Sequence, residues 1–205
     1  AFLNTQRREH FDVPGLILSS VLISCLFLGL ARAASLDGVI LLIVTLVLSV
    51  VFYFVERRQP NPLLPVSLLT SNRVFAASNA AALINYSATY AVGFLLSLYL
   101  QYIRGYDPIT AGTLLLVQPI IQVFVAPASG RLADRVQPGH VASVGMALSA
   151  VCLFGFAMIS DMTPIMTIVA LLAVLGVGVG LFSSPNTTAI MECVEPKSYG
   201  SASAM

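Results

Sequence analysis

Asn79, Tyr86 and Tyr90 interrupt one apolar stretch of this sequence, and Gln118 and Gln122 interrupt another. With Ala82, Gly93, Ser97 and Gln101, the first three recur every three or four residues and so share one helical face. Uncharged carboxamides and phenols can hydrogen-bond a solute, and aromatic faces attract organic cations. In apolar surroundings such a stripe either holds a neighbouring helix or lines a pathway, and spacing alone leaves both readings open.

Other chemistry is sparse. His10 and His140 stand beside the ends of apolar stretches without a second ligand-type residue at helical spacing, and Cys25, Cys152 and Cys193 are far apart. Neither a metal centre nor a disulfide framework is expected. No nucleophile, base and orienting residue can be assembled, so the chain is not expected to be an enzyme or to need a cofactor. A net charge of +1 with a single lysine, Lys197, argues against a nucleic-acid partner.

The elements that must carry these residues follow from composition. The chain is 58% hydrophobic and 9% charged, too few charges to coat a water-soluble surface. A helix needs about 20 apolar residues to cross a hydrocarbon core with its amides satisfied. Six stretches qualify, near 13–31, 38–55, 74–102, 109–128, 141–159 and 164–190. The expected fold is therefore all-α, a polytopic transmembrane helical bundle of about six spans. Arg7, Arg8 and the small residues around Arg32 also imitate a cleavable signal peptide, but Glu9, Asp12 and the immediate second span favour a transmembrane hairpin.

The spans differ in character. The second is almost wholly Leu, Ile, Val and Phe and is expected to face lipid on most sides. The fourth carries Pro119 and Pro127, which predict a bend, together with Ser129. Gly176 and Gly180 in the sixth form a G-x-x-x-G pair suited to close helix packing. A proline-rich connector, residues 56–65, followed by a short interfacial segment, marks the division near residue 60 between a lipid-facing hairpin, 1–60, and a four-span module, 61–205. The Asn85 and Asn186 sequons are read as accidental.

Positive charge sets a direction. With six spans, Arg7, Arg8, Arg57, Arg58, Arg73, Arg131, Arg135 and Lys197 fall on one side and only Arg32 and Arg104 on the other. The rich side is expected to be cytoplasmic, with both termini there and the chain in the cell membrane.

On that side lies Gly130-Arg131-Leu132-Ala133-Asp134-Arg135. This loop resembles the signature between the second and third helices of a six-helix half in the major facilitator superfamily. Pro62-Leu63-Leu64-Pro65, Leu98-Tyr99-Leu100-Gln101 with Gly105 and Pro108, Ala111-Gly112, and Gly200 with Ala202-Ser203-Ala204 are similar to its fourteen-helix drug:proton antiporter branch. The resemblance implies a fragment: a central helix pair followed by the first four helices of the C-terminal half. It also implies a missing N-terminal half as partner, alternating access, and multidrug export driven by protons. Gly130, Arg131, Asp134 and Arg135 would then form a cytoplasmic gating loop, with Asp134 near a helix start. The other reading is that Gly130 permits a tight turn and the charges anchor to lipid headgroups.

No span has a central acid, base or histidine, so a coupling acid would lie outside this chain. A neutral wall of Asn79, Tyr86, Tyr90, Gln118 and Gln122 suits amphipathic or cationic organic solutes. The competing expectation is a non-transporting helical membrane scaffold whose polar stripes only hold helices or subunits together.

Overall fold

The computed structural model describes residues 12–58 and 66–194. Arg7, Arg8, His10, residues 59–65 of the connector and the stretch with Lys197 and Gly200 lie outside the described residues. Two compact units are present: one holds the described residues through Arg73 with Val194, and the other is Val74–Cys193.

The first unit is a helical hairpin, α1 (Val13–Ala31) and α2 (Leu36–Glu56), followed by the short α3 (Val66–Ser71). Asp12 caps α1 by accepting from Gly15 N at 2.9 Å, and Ser35 caps α2 by accepting from Gly38 N at 3.2 Å. The turn needs glycine at 38, because a Cβ there would overlap the Arg32 carbonyl. Gly29 sets α1 against Leu42, and Gly15 admits the Asp12 and Glu56 carboxyl groups beside it. On α2 only Gly38, Thr45, Phe52 and Glu56 are buried, a narrow seam spaced by seven and then four residues. Most of the rest of α2 is exposed or half-buried apolar surface.

The second unit contains α4 (Arg73–Leu98, from Val74 onward), α5 (Pro108–Leu115), α6 (Val117–Ala133), α7 (Pro138–Ala157) and α8 (Ile165–Glu192). A π turn, Tyr99–Ile103, ends α4. Gly105 follows at φ 69, a left-handed conformation that favours glycine. Asp107 Oδ2 then accepts from the N–H groups of Ile109 and Thr110, both at 3.0 Å, and Pro108 starts α5. Among the described residues, six helical segments are long and apolar enough to cross a membrane, with α5 and α6 forming one of them.

The fourth span is interrupted at Leu116, three residues before Pro119, whose missing N–H would have served Leu115. Pro127 stays inside α6. The helix also runs to Ala133, five residues past the expected end at 128, because Ser129 and Gly130 pack on α8.

α8 is the centre of this unit, wedged between α6 and α7. Its glycines face both ways. A Cβ at Gly176 would stand 2.5 Å from the Gln118 carbonyl of α6, and one at Gly180 would stand 2.9 Å from Val125 Cβ. Gly178, two residues from each, faces α7, where a Cβ would come 2.7 Å from Ser149 Oγ. Gly145 returns the contact from α7, 2.6 Å from Gly178 O. Leu172, Leu175 and Val179 of α8 continue the core into Cys152, Phe156, Leu96 and Leu100.

Pro185 breaks the ladder inside α8, leaving the Leu181 carbonyl without its helical donor. Ser129 of α6 supplies one, its Oγ donating to Leu181 O at 3.1 Å. Ser129 and Pro185 are both fully buried, so the unmet carbonyl would otherwise be costly.

Candidate functional site: a cavity between α4, α5–α6 and α8

The face of α4 that packs inward carries Phe75, Asn85 and Leu96, which are buried. The polar stripe runs beside it. Tyr86 is 36% exposed and Tyr90 is 78% exposed. They line a cavity of about 460 Å³ together with Thr89, Gly93 and Phe94 of α4, Gln118 and Gln122 of α6, and a floor of Leu172, Leu175 and Val179 from α8.

Four of the five candidate pathway residues thus line one cavity. Asn79 does not line this cavity; its Nδ2 donates back to Phe75 O at 2.9 Å. Gln118 Nε2 donates to Gln122 Oε1 at 2.9 Å, one helical turn along α6. The Tyr86 ring stands edge-on to Phe182, with centroids 6.2 Å apart. Periodicity did not single out Thr89, Phe94 or Gly112 as lining residues. Thr89 and Gly93 lie one turn apart, which was the available signal.

The charged turn differs from its expected form. Gly130 is not a turn residue: it lies within α6, where a Cβ would meet Ser184 Oγ at 2.9 Å. Asp134 caps the end of α6 rather than sitting near a helix start, since α7 begins only at Pro138. There the helix dipole favours Arg131, in the last turn, over Asp134. Arg131, Asp134 and Arg135 are exposed and make no ion pair among the described residues.

At the opposite end of the unit, Arg104 Nη1 donates to Asp161 O at 2.7 Å and to Thr163 O at 2.8 Å. Tyr99 Oη adds a bond to Ser160 O at 2.6 Å. These side chains clasp the turn between α7 and α8. In the nearby Asp107 cap, a hydrogen bond from the Thr110 hydroxyl, at 2.6 Å, is the main cause that holds the carboxyl below its ordinary range.

The second unit is therefore a helical bundle with a solute-sized cavity against one face of α4. The sequence model of the Major Facilitator Superfamily matches residues 13–205. The chain belongs to this family, whose members are transporters rather than enzymes, and is a multi-pass membrane protein. It is similar to the riboflavin transporter RibZ of Clostridioides difficile, 29% identical over 95% of this chain and 42% of that protein. The tetracenomycin C resistance and export protein of Streptomyces glaucescens is 30% identical over 72% of this chain and 28% of its own length. Multidrug resistance protein Stp of Mycobacterium tuberculosis is 25% identical over 97% and 37%, respectively. The chain spans less than half the length of these relatives.

Proposed function

We propose that this chain is part of a secondary active transporter that exports small organic molecules by alternating access, and that the α4/α6/α8 cavity is one wall of the solute path. The single observation behind the reading is the convergence of Tyr86 and Tyr90 of α4 with Gln118 and Gln122 of α6 on that cavity. In a membrane interior, polar groups of this kind face protein or water rather than lipid. A second six-helix half, absent from this chain, would supply the opposite wall.

The relatives named for resistance and export support the outward direction. Protons are the proposed coupling ion, with the titrating acid in the part of the protein beyond this chain. The arginine-rich side is proposed as cytoplasmic, in the cell membrane, with both ends of the chain there. The exposed Arg131, Asp134 and Arg135, unpaired among the described residues, would then bond the other half when that side closes, and Gly176 and Gly180 keep α6 tight on α8.

The test is efflux by the full-length transporter carrying Tyr90→Ala or Gln122→Leu, at equal expression. Each should lower export of at least one substrate several-fold. Unchanged efflux across several substrates would remove both residues from the path.

A further inference from the structure

The chemistry of the cavity narrows what it can hold. A primary carboxamide has two N–H donors and two acceptor lone pairs. The bond between Gln118 and Gln122 engages one amide N–H of the first and the carbonyl oxygen of the second. What remains at the edge of the pair is an acceptor, Gln118 Oε1, beside a donor, Gln122 Nε2. Exchanging O and N in both amides reverses the order but keeps one donor next to one acceptor.

The facing wall is a ladder of aromatic rings on successive turns of α4, Tyr86, Tyr90 and Phe94. Gly93 on that wall and Gly112 on α5 both line the cavity, and a Cβ at either would meet nothing within 4 Å. The glycines thus leave bare backbone and open space beside the rings, an open slot with room for a planar body. No Asp, Glu, Lys, Arg or His lines it, so a formal charge would gain no counter-ion on this wall.

Resting on the reading of this cavity as the solute path, we infer that it selects a neutral planar heteroaromatic carrying a lactam or imide edge. The ring lies against Tyr90 and Gly93. The solute N–H and adjacent C=O meet the free acceptor and donor of the Gln118–Gln122 pair. A permanent cation such as ethidium gains from the aromatic ladder but leaves the glutamine edge unread.

The probes are lumichrome, whose two N–H groups each stand beside a carbonyl, its 1,3-dimethyl derivative, which has neither N–H, and ethidium. Binding to the purified full-length transporter is followed by fluorescence. Wild type should bind lumichrome about tenfold more tightly than the methylated compound, the worth of one well-made hydrogen bond. Gln122→Leu and the shorter but still polar Gln122→Asn should shrink that ratio to about two or less, with ethidium binding retained as the check on folding. Gly93→Leu, which fills the slot, should weaken all three probes. Equal binding of lumichrome and its dimethyl derivative by wild type, or a ratio unaltered by both Gln122 variants, overturns the imide edge while leaving the solute path intact. Probe affinities untouched by Gly93→Leu overturn the path itself.

Discussion

Gly145→Ala tests whether the α7–α8 contact has the closeness described above. An added Cβ would lie 2.6 Å from both Gly178 O and Phe182 N and 2.9 Å from Leu181 C, all backbone atoms of α8 that no rotamer change can move. Ordinary contact between carbon atoms is about 3.5–4.0 Å, so α7 would have to retreat from α8 by roughly 1 Å. Overpacking of this kind costs about 1–3 kcal/mol, and a purely backbone obstacle belongs at the upper end. Alanine returns about 1 kcal/mol of helix propensity, leaving a net loss of about 2 kcal/mol. Gly93→Ala is the matched control: the same methyl group in the same kind of helix, but placed in open space. It should be neutral or stabilising by up to about 1 kcal/mol.

Thermal unfolding of the full-length protein in detergent, read by a thiol-reactive dye, follows exposure of the buried Cys152 once Cys25, Cys193 and any cysteine outside this chain are replaced by serine. At about 2–4 °C per kcal/mol, Gly145→Ala should unfold roughly 4–8 °C lower. If the Gly145 and Gly93 variants melted together, the close crossing assigned to α7 and α8 would be refuted.

The Ser129 bond to Leu181 O predicts a coupled pair. Ser129→Ala should destabilise by about 1–2 kcal/mol; adding Pro185→Ala, which restores a donor to that carbonyl, should recover most of the loss, and strict additivity in the melting temperatures would count against the pairing. Arg104→Ala should speed amide hydrogen exchange across residues 158–164, whereas unchanged exchange there would show that the clasp does not hold the turn. Asp107 has a folded-state pKa below its unfolded one, so its contribution is complete above the unfolded value of about 3.9 and fades as pH falls through the lower folded value. Asp107→Asn should therefore flatten the acid limb of the stability curve, and identical acid limbs would contradict the cap. A cysteine at position 137 should react with impermeant reagents only from the cytoplasm; labelling from outside intact cells would reverse the proposed orientation.

What was legible in the sequence is what depends on one helix at a time. Hydrophobic length marked each crossing segment, since an apolar run of that length has few alternatives. Periodicity found the stripe that contains Tyr86 and Tyr90, because a shared helical face is a property of spacing. Which face meets which neighbour is different, for it depends on the rotation and tilt of two helices together. Asn79 belongs to the stripe by spacing yet bonds its own backbone outside the cavity. Asn85, one position off the stripe, is buried on the packing face.

The same distinction explains the charged turn. Pro127, Ser129 and Gly130 read locally as the end of a helix, and only contact with α8 makes them its continuation. The glycines at 176, 178 and 180 show the limit most directly. A four-residue spacing announces one packing face, but the residue between them is equally closed, against a second helix that the G-x-x-x-G pattern does not encode. A backbone packed on two sides cannot let α6 and α7 move independently of α8. Under the proposed alternating access, the three helices should therefore move as one body, and the α4 face that borders the cavity, held by fewer close contacts, is the place to look for relative motion.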